Sequence, residues 1–300
     1  MKTGSKGEQI VNFSELKPLI IDCPRLNLGE SPVWWKERSS FVFTDINGNS
    51  IYLLNPTSLD TTEIKFKNSV VCIVPCDRSK LLLVFFHKIC VYDIETNNLQ
   101  TIFTPPRNKL GVRFNDGKCD KNGRFWVSGI GDQEEKTNSS IFIIEKDKFT
   151  IKEKNKIILG NGLDWNLESK KFFFTDSKRF RIYSYSFSKD PLNLSSHRSI
   201  FFEIKDPNVE PDGLYVDRYG NIWSCLWNAG KILQINQNGD INFEIKLPIK
   251  RPTSLAFGGS NLDIMLVTTA MDNESSNDFN GKCFLFKKMP FGLPTNYFKL

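Results

Sequence analysis

Glu30, Asn115, Asn161 and Asp212 are four oxygen-bearing side chains in a common local setting. They occur in "GESPVWW", "RFNDGKC", "GNGLDWN" and "EPDGLYV", each with a glycine within two residues and an apolar run following. Singly, each reads as a turn former, because Asn and Asp near Gly favour tight turns through local side-chain bonding and tolerance of positive φ. Collected at one spot, two carboxylates and two amides would be held apart by like charge and desolvation unless a divalent cation joined them. A donor set made only of oxygen points to a hard ion such as calcium or magnesium, calcium foremost, with manganese or zinc also able to use it. The two histidines, His87 and His197, lie outside this setting, so a histidine-built centre is not expected.

Internal repeats say how residues so distant in sequence could meet. "SFVFTDINGNSIYLL" and "KFFFTDSKRFRIYSY" share Phe-Thr-Asp followed by Ile-Tyr at the same distance. Asp45 and Asp176 lie 131 residues apart, as do Glu30 and Asn161. "NDGKCDKNGRFWVS" and "PDGLYVDRYGNIWSC" match with an offset of 97, which carries Asp120, Gly123 and Trp126 onto Asp217, Gly220 and Trp223, and Asn115 onto Asp212. A further copy starts at Thr253 or Ser254, and Ser69–Glu95 holds another. Six units spaced about 45 residues apart match the length of a four-stranded propeller blade. Runs rich in Phe, Ile, Val and Tyr between Gly, Asn, Asp and Pro read as strands.

The expectation is an all-β, six-bladed β-propeller with four-stranded blades, forming a single domain over residues 1–300. Two stacked sandwich domains would not repeat the Phe-Thr-Asp spacing across their boundary. The N-terminal "LKPLIIDC" is suited to close the ring beside "KCFLFKK" of the last blade, removing an exposed edge. In such a ring the innermost strands converge on the central channel, so equivalent positions in blades one, three, four and five bring Glu30, Asn115, Asn161 and Asp212 to one mouth.

Composition narrows the classes of function. The formal charge of +6 is spread in mixed company, with no basic stripe or recognition motif, so nucleic acid is not an expected partner. There is no apolar run of 18 residues for a membrane span and no apolar segment near the start resembling a secretory signal, so no membrane association and a cytoplasmic location are expected. Seven scattered cysteines suit reduced thiols, and Cys72 and Cys76 lack the second close pair a structural zinc site needs. No Gly-x-Ser-x-Gly elbow, Walker A loop or Gly-x-Gly-x-x-Gly occurs.

The segments "GESPVWW", "RFNDGKCDKNGRFW", "NGLDWN", "PDGLYVDRYGNIW" and "TSLAFGGSNLDIMLVT" run in the order of, and the chain resembles, the senescence marker protein/regucalcin, gluconolactonase and luciferin-regenerating enzyme family of six-bladed propellers. The resemblance covers Gly29 to Thr268. It implies that Glu30, Asn161 and Asp212 bind the metal directly, that Asn115 lies beside it with substrate or its waters, and that Arg113 reaches substrate oxygens. The implied chemistry is hydrolysis of a small lactone by carbonyl polarisation and water activation, with Asp212 as base or nucleophile. The contrasting expectation is a non-catalytic calcium-binding or regulatory propeller that binds partners. Ser128-Gly129-Ile130 replaces the family's common Gly-Thr-Met. The family's acidic sugar-contacting residue corresponds to Gln133, with Glu134 one step away, so gluconolactone is expected to be a poor substrate. A monomer or weak oligomer is expected.

Overall fold

The computed structural model describes residues 9–105, 112–131, 139–146 and 148–300. Among the described residues, six sheets, each with a four-stranded antiparallel core, are arranged as blades around a channel. Their innermost strands are Gly29–Trp35, Val70–Pro75, Val112–Cys119, Gly160–Asn166, Glu210–Val216 and Pro252–Gly258 for blades 1 to 6. Each lies against the innermost strand of the next blade, and that of blade 6 lies against that of blade 1, so the ring is closed. Among the described residues, no helix is long and apolar enough to cross a membrane.

The burial pattern explains why these sequences make blades rather than one large sheet. Middle strands such as Lys80–Phe85 (KLLLVF) and Lys171–Asp176 (KFFFTD) are buried on both faces, since each blade is covered by the one before and the one after. Outermost strands such as Thr61–Lys65 and Asn98–Phe103 alternate or stay exposed. The apolar side chains accordingly fall into six clusters, each filling the wedge between two adjacent blades.

The two repeats seen in the sequence are two hydrogen-bonding devices. In the 97-residue repeat, Asp120 accepts the backbone N–H groups of Asn122 and Arg124 and the Trp126 indole N–H, and Asp217 does the same with Tyr219, Asn221 and Trp223. Gly123 and Gly220 close these turns at φ of +80° and +79°, a conformation that disfavours other residues. In the 131-residue repeat, Asp45 accepts the N–H groups of Asn27 and Leu28, and Asp176 those of Ile158 and Leu159. Each aspartate therefore grips the chain just as it enters an innermost strand, one residue before Gly29 or Gly160.

Blade 6 is completed by the N-terminal segment. Leu19 and Ile20 pair antiparallel with Leu285 and Phe284, as the sequence led one to expect. Two features were not foreseen. Gln9–Asn12 adds a fifth strand to blade 5, parallel to Ile241–Lys246. The C-terminal residues strap the far ends of the innermost strands: Leu293 exchanges hydrogen bonds with the Tyr215 hydroxyl, Asn296 Nδ2 donates to Cys119 O, and the N–H groups of Phe298 and Lys299 donate to Pro75 O and Gly123 O. The strap touches blades 2, 3 and 5 through these bonds, and buries Phe298 in the wedge between blades 2 and 3.

Candidate active site

The register of the innermost strands breaks where the four polar residues stand. Asn115 and Asp116 together oppose Ser128, Asn161 and Gly162 oppose Thr175, and Asp212 and Gly213 oppose Cys225. In blade 1 the extra pair is Ser31–Pro32, directly after Glu30. A bulge of this kind bends the strand and re-aims the side chain at the bulge. The glycine after Asn161 or Asp212 follows from how closely the strands then approach. A Cβ on Gly162 would lie 2.1 Å from the backbone nitrogen of Leu214, and one on Gly213 would lie 2.3 Å from Ser254 Oγ. The motifs Asn-Gly and Asp-Gly thus supply a ligand-type side chain and the close approach in two consecutive residues.

Glu30, Asn115, Asn161 and Asp212 line one cavity of about 260 Å³ at the entry end of these strands, together with Arg113. Asn115 Nδ2 donates to Asn161 Oδ1 and to Gly160 O, both at 2.8 Å, so both of its amide hydrogens are committed and only Oδ1 is left to offer. Asn161 Nδ2 donates to Ser177 Oγ at 2.9 Å, and that hydroxyl donates to Pro211 O at 2.6 Å. Because Ser177 spends its hydrogen on Pro211, it must accept from Asn161, which turns the Asn161 oxygen toward Asn115. Glu30 Oε2 accepts the N–H of Ser31, whose φ of +48° makes that reach possible. Asp212 is buried, and its Oδ1 has no hydrogen-bond partner among the described residues. The Arg113 guanidinium sits 4.8 Å from the centre of the Phe86 ring.

The electrostatics match this crowding. Burial, with the nearby Asp116 carboxylate, pushes Glu30 up to about 8 against the opposing pull of the Ser31 N–H. Burial also raises Asp212 well above the ordinary carboxylate range, reinforced by Glu30, Asp116 and Glu210. Asp116 is pushed up to about 6 by burial, with Asp164 adding to the rise and the Gly117 N–H and Lys118 opposing it.

These residues fit a divalent cation. The donors are a carboxylate oxygen left without a partner, a second carboxylate holding one N–H, and an amide oxygen turned by its neighbours. That is the hard-oxygen set that calcium and magnesium prefer. Among the described residues no three His, Cys, Asp or Glu side chains group as a metal site, so the set depends on Asn161 to complete it.

All four residues read from the repeat, and Arg113, line the cavity. Gln133 lies outside the described residues. Asp116 was not singled out from the sequence, although it stands in "FNDG" and shares the bulge with Asn115. Ser177 was also missed. It immediately follows the Phe-Thr-Asp repeat, where blade 1 carries Ile46, and Ile46 lines the same cavity. Lys178 and Glu210, paired at 2.9 Å, line it as well.

Fold and site define a closed six-bladed propeller with an oxygen-rich cavity at one end of its channel. The profile of the SMP-30/gluconolactonase/LRE-like region matches residues 28–271, and the chain belongs to that family. The chain is 28% identical over 256 residues to a Bacillus subtilis protein named, provisionally, a sugar lactone lactonase, covering 85% of this chain and 87% of the other. It is 28% identical over 267 residues to regucalcin of Xenopus laevis, covering 87% and 89%. Its fold superposes on the crystal structure of a calcium-binding protein, regucalcin, from Agrobacterium tumefaciens with a TM-score of 0.90 at 20% identity, covering 97% of this chain and 99% of the other.

Proposed function

We propose that this chain is a divalent-cation-dependent hydrolase that opens small lactones. The observation that carries the reading is the meeting of Glu30, Asn161 and an unpartnered Asp212 oxygen with Arg113 and Asn115 on one cavity. Membership of the gluconolactonase-containing family and the name of the Bacillus subtilis relative support the same class of activity.

Glu30, Asn161 and Asp212 would hold the cation, calcium foremost, with zinc, magnesium or manganese as the alternatives to be compared. When bound, such an ion supplies Lewis-acid polarisation of a carbonyl and compensation of developing negative charge. The chain's own residues do the remaining work. Arg113 carries only donors, so it holds substrate oxygens at the edge of its guanidinium while the plane of that group lies near the Phe86 ring. Asn115 presents its Oδ1 alone, and so accepts from a substrate hydroxyl or from water. The Asp212 carboxylate takes a proton as water adds to the ester carbonyl, and the proton is returned to the ring oxygen as the carbon–oxygen bond breaks. Gln133, in the segment "GDQEEK", is the proposed further substrate contact.

The test is a panel of aldonolactones and simple γ- and δ-lactones, assayed after chelation and after adding back calcium, magnesium, manganese or zinc. Turnover lost on chelation and restored by one of these ions is expected. Cation binding with no lactone turned over would favour the non-catalytic calcium-binding reading, which the name of the Agrobacterium protein also suggests.

A further inference from the structure

Cys23 and Cys283 face one another where the ring is closed. Ile21 N–H donates to Cys283 O at 3.0 Å, extending by one step the two-residue pairing of Leu19 and Ile20 with blade 6. Beyond it the chain folds back, Cys23 N–H donating to Ile21 O. This brings the Cys23 sulfur within hydrogen-bonding reach of both the thiol and the backbone N–H of Cys283. Both cysteines belong to the apolar cluster between blades 6 and 1. We propose that this pair is a redox modification site: oxidation by hydrogen peroxide joins Cys23 to Cys283 and closes the propeller covalently.

The two sulfurs are suited to different parts of the reaction. Hydrogen bonds from Cys283 and the nearby Lys282 charge hold the Cys23 thiol below its ordinary value, whereas burial pushes Cys283 well above it. Lys282 is fixed there by donating to Cys23 O at 2.6 Å. Cys23 therefore supplies the thiolate, the nucleophilic form. Its sulfur attacks peroxide, the oxygen–oxygen bond breaks, and a sulfenic acid forms with release of one water after protonation. The Cys283 sulfur then attacks the sulfenic sulfur, the sulfur–sulfur bond forms, and the hydroxyl leaves with the Cys283 proton as a second water. Two thiols are oxidised by two electrons, and one peroxide is reduced to two waters.

Access is provided by the closing strand itself. Only Leu19 and Ile20 pair as a strand, Ile20 is 44% exposed, and beyond them the segment is held by the Ile21–Cys283 and Lys282–Cys23 bonds and the buried Ile21, so local opening breaks a short stretch of sheet and these two bonds. The other thiol group in the fold lacks these features. Cys76, the one partly exposed cysteine, is pushed up to about 12 by burial and the neighbouring Asp77, and Cys72 and Cys119 beside it are raised as well.

The experiment treats the folded, fully reduced protein with a small molar excess of hydrogen peroxide, blocks remaining thiols, and maps peptides by mass spectrometry with and without reductant. A reducible cross-link joining the peptides of Cys23 and Cys283 is expected, with the mass lowered by two hydrogens. The thermal unfolding midpoint should rise by several degrees and return on reduction. Cys23→Ser should abolish both effects, and Cys76→Ser should leave both in place. Cys23 accumulating as sulfinic acid without a cross-link, a cross-link elsewhere, or reaction only after denaturation would each overturn the proposal. The unmodified sequence decides the matter even if a serine variant folds poorly.

Discussion

Asn115 holds Asn161: its Nδ2 spans Asn161 Oδ1 in the neighbouring blade and the carbonyl of Gly160, each at 2.8 Å. One amide thus fixes the position of the next across a blade boundary. Asn115→Ala removes that support but leaves the Asn161–Ser177 bond. Supporting residues of metal ligands typically contribute about 10–100-fold in affinity. Calcium titration by calorimetry should show a loss at the lower end of that range, together with a raised KM. Unchanged affinity would mean that Asn161 is held by Ser177 alone.

Asp212→Asn is nearly isosteric and should leave the circular dichroism spectrum and thermal midpoint close to those of the parent. With one anionic donor and the proposed proton acceptor removed, kcat for any accepted lactone should fall on the order of 10²-fold or more. A variant that hydrolyses lactones at the parent rate would remove Asp212 from catalysis.

Arg113→Ala should raise KM with cation affinity spared, because a guanidinium cannot be a ligand. Arg113→Lys keeps the charge but not the planar fork, and should recover only part of the loss. Metal titration beside lactone kinetics separates the two roles. A matching fall in metal affinity would place Arg113 among the residues that shape the ion site.

Gln133→Ala and Glu134→Ala test the proposed role of the segment "GDQEEK" in sugar recognition. Activity on gluconolactone should be low in the parent and lower in the variants, with simple lactones little affected. High efficiency on gluconolactone that survives both changes would show that sugar recognition lies elsewhere.

Arg124 offers a prediction about acid stability. It bonds Asp120 through Nε at 2.7 Å and Asp190 through both Nη atoms, and that pairing holds the Asp190 carboxyl below its usual range. A carboxyl lowered in the fold contributes stability that is present above its unfolded value and lost as pH falls through its folded one. The unfolding midpoint of the parent should therefore fall more steeply below about pH 4 than that of Asp190→Asn. With the Asp190 side chain 38% exposed, solvent screens the pair and the difference should be small. Parallel acid limbs would show that the pair contributes nothing.

The repeats were legible because each is a self-contained piece of chemistry. Asp45 and Asp176 must occupy the same place relative to the strand they grip, and the indoles of Trp126 and Trp223 must be six residues after their aspartates, so spacing alone carried the blade register and, through it, the four channel residues. Asp116 stayed hidden because a bulge gives two adjacent residues one place opposite the partner strand, and pattern reading assigns that place to only one of them. The C-terminal strap bonds to carbonyls of Pro75, Cys119 and Gly123, and carbonyls leave no mark in side-chain patterns. The fifth strand of blade 5 is likewise made through backbone pairing to a residue range far along the chain.

Blade 6 takes its outer strand from residues 19–20 and its next strand from residues 284–286. During synthesis, therefore, residues 19–20 emerge long before the partner strand they pair with exists. Until then blade 1 has no neighbour on one side, and the apolar faces of Trp34, Phe41 and Phe43, which the finished ring covers with Ala256, Leu266 and Leu285, stand open to water. The apolar face of blade 1 is thus covered only by contact between segments far apart in sequence.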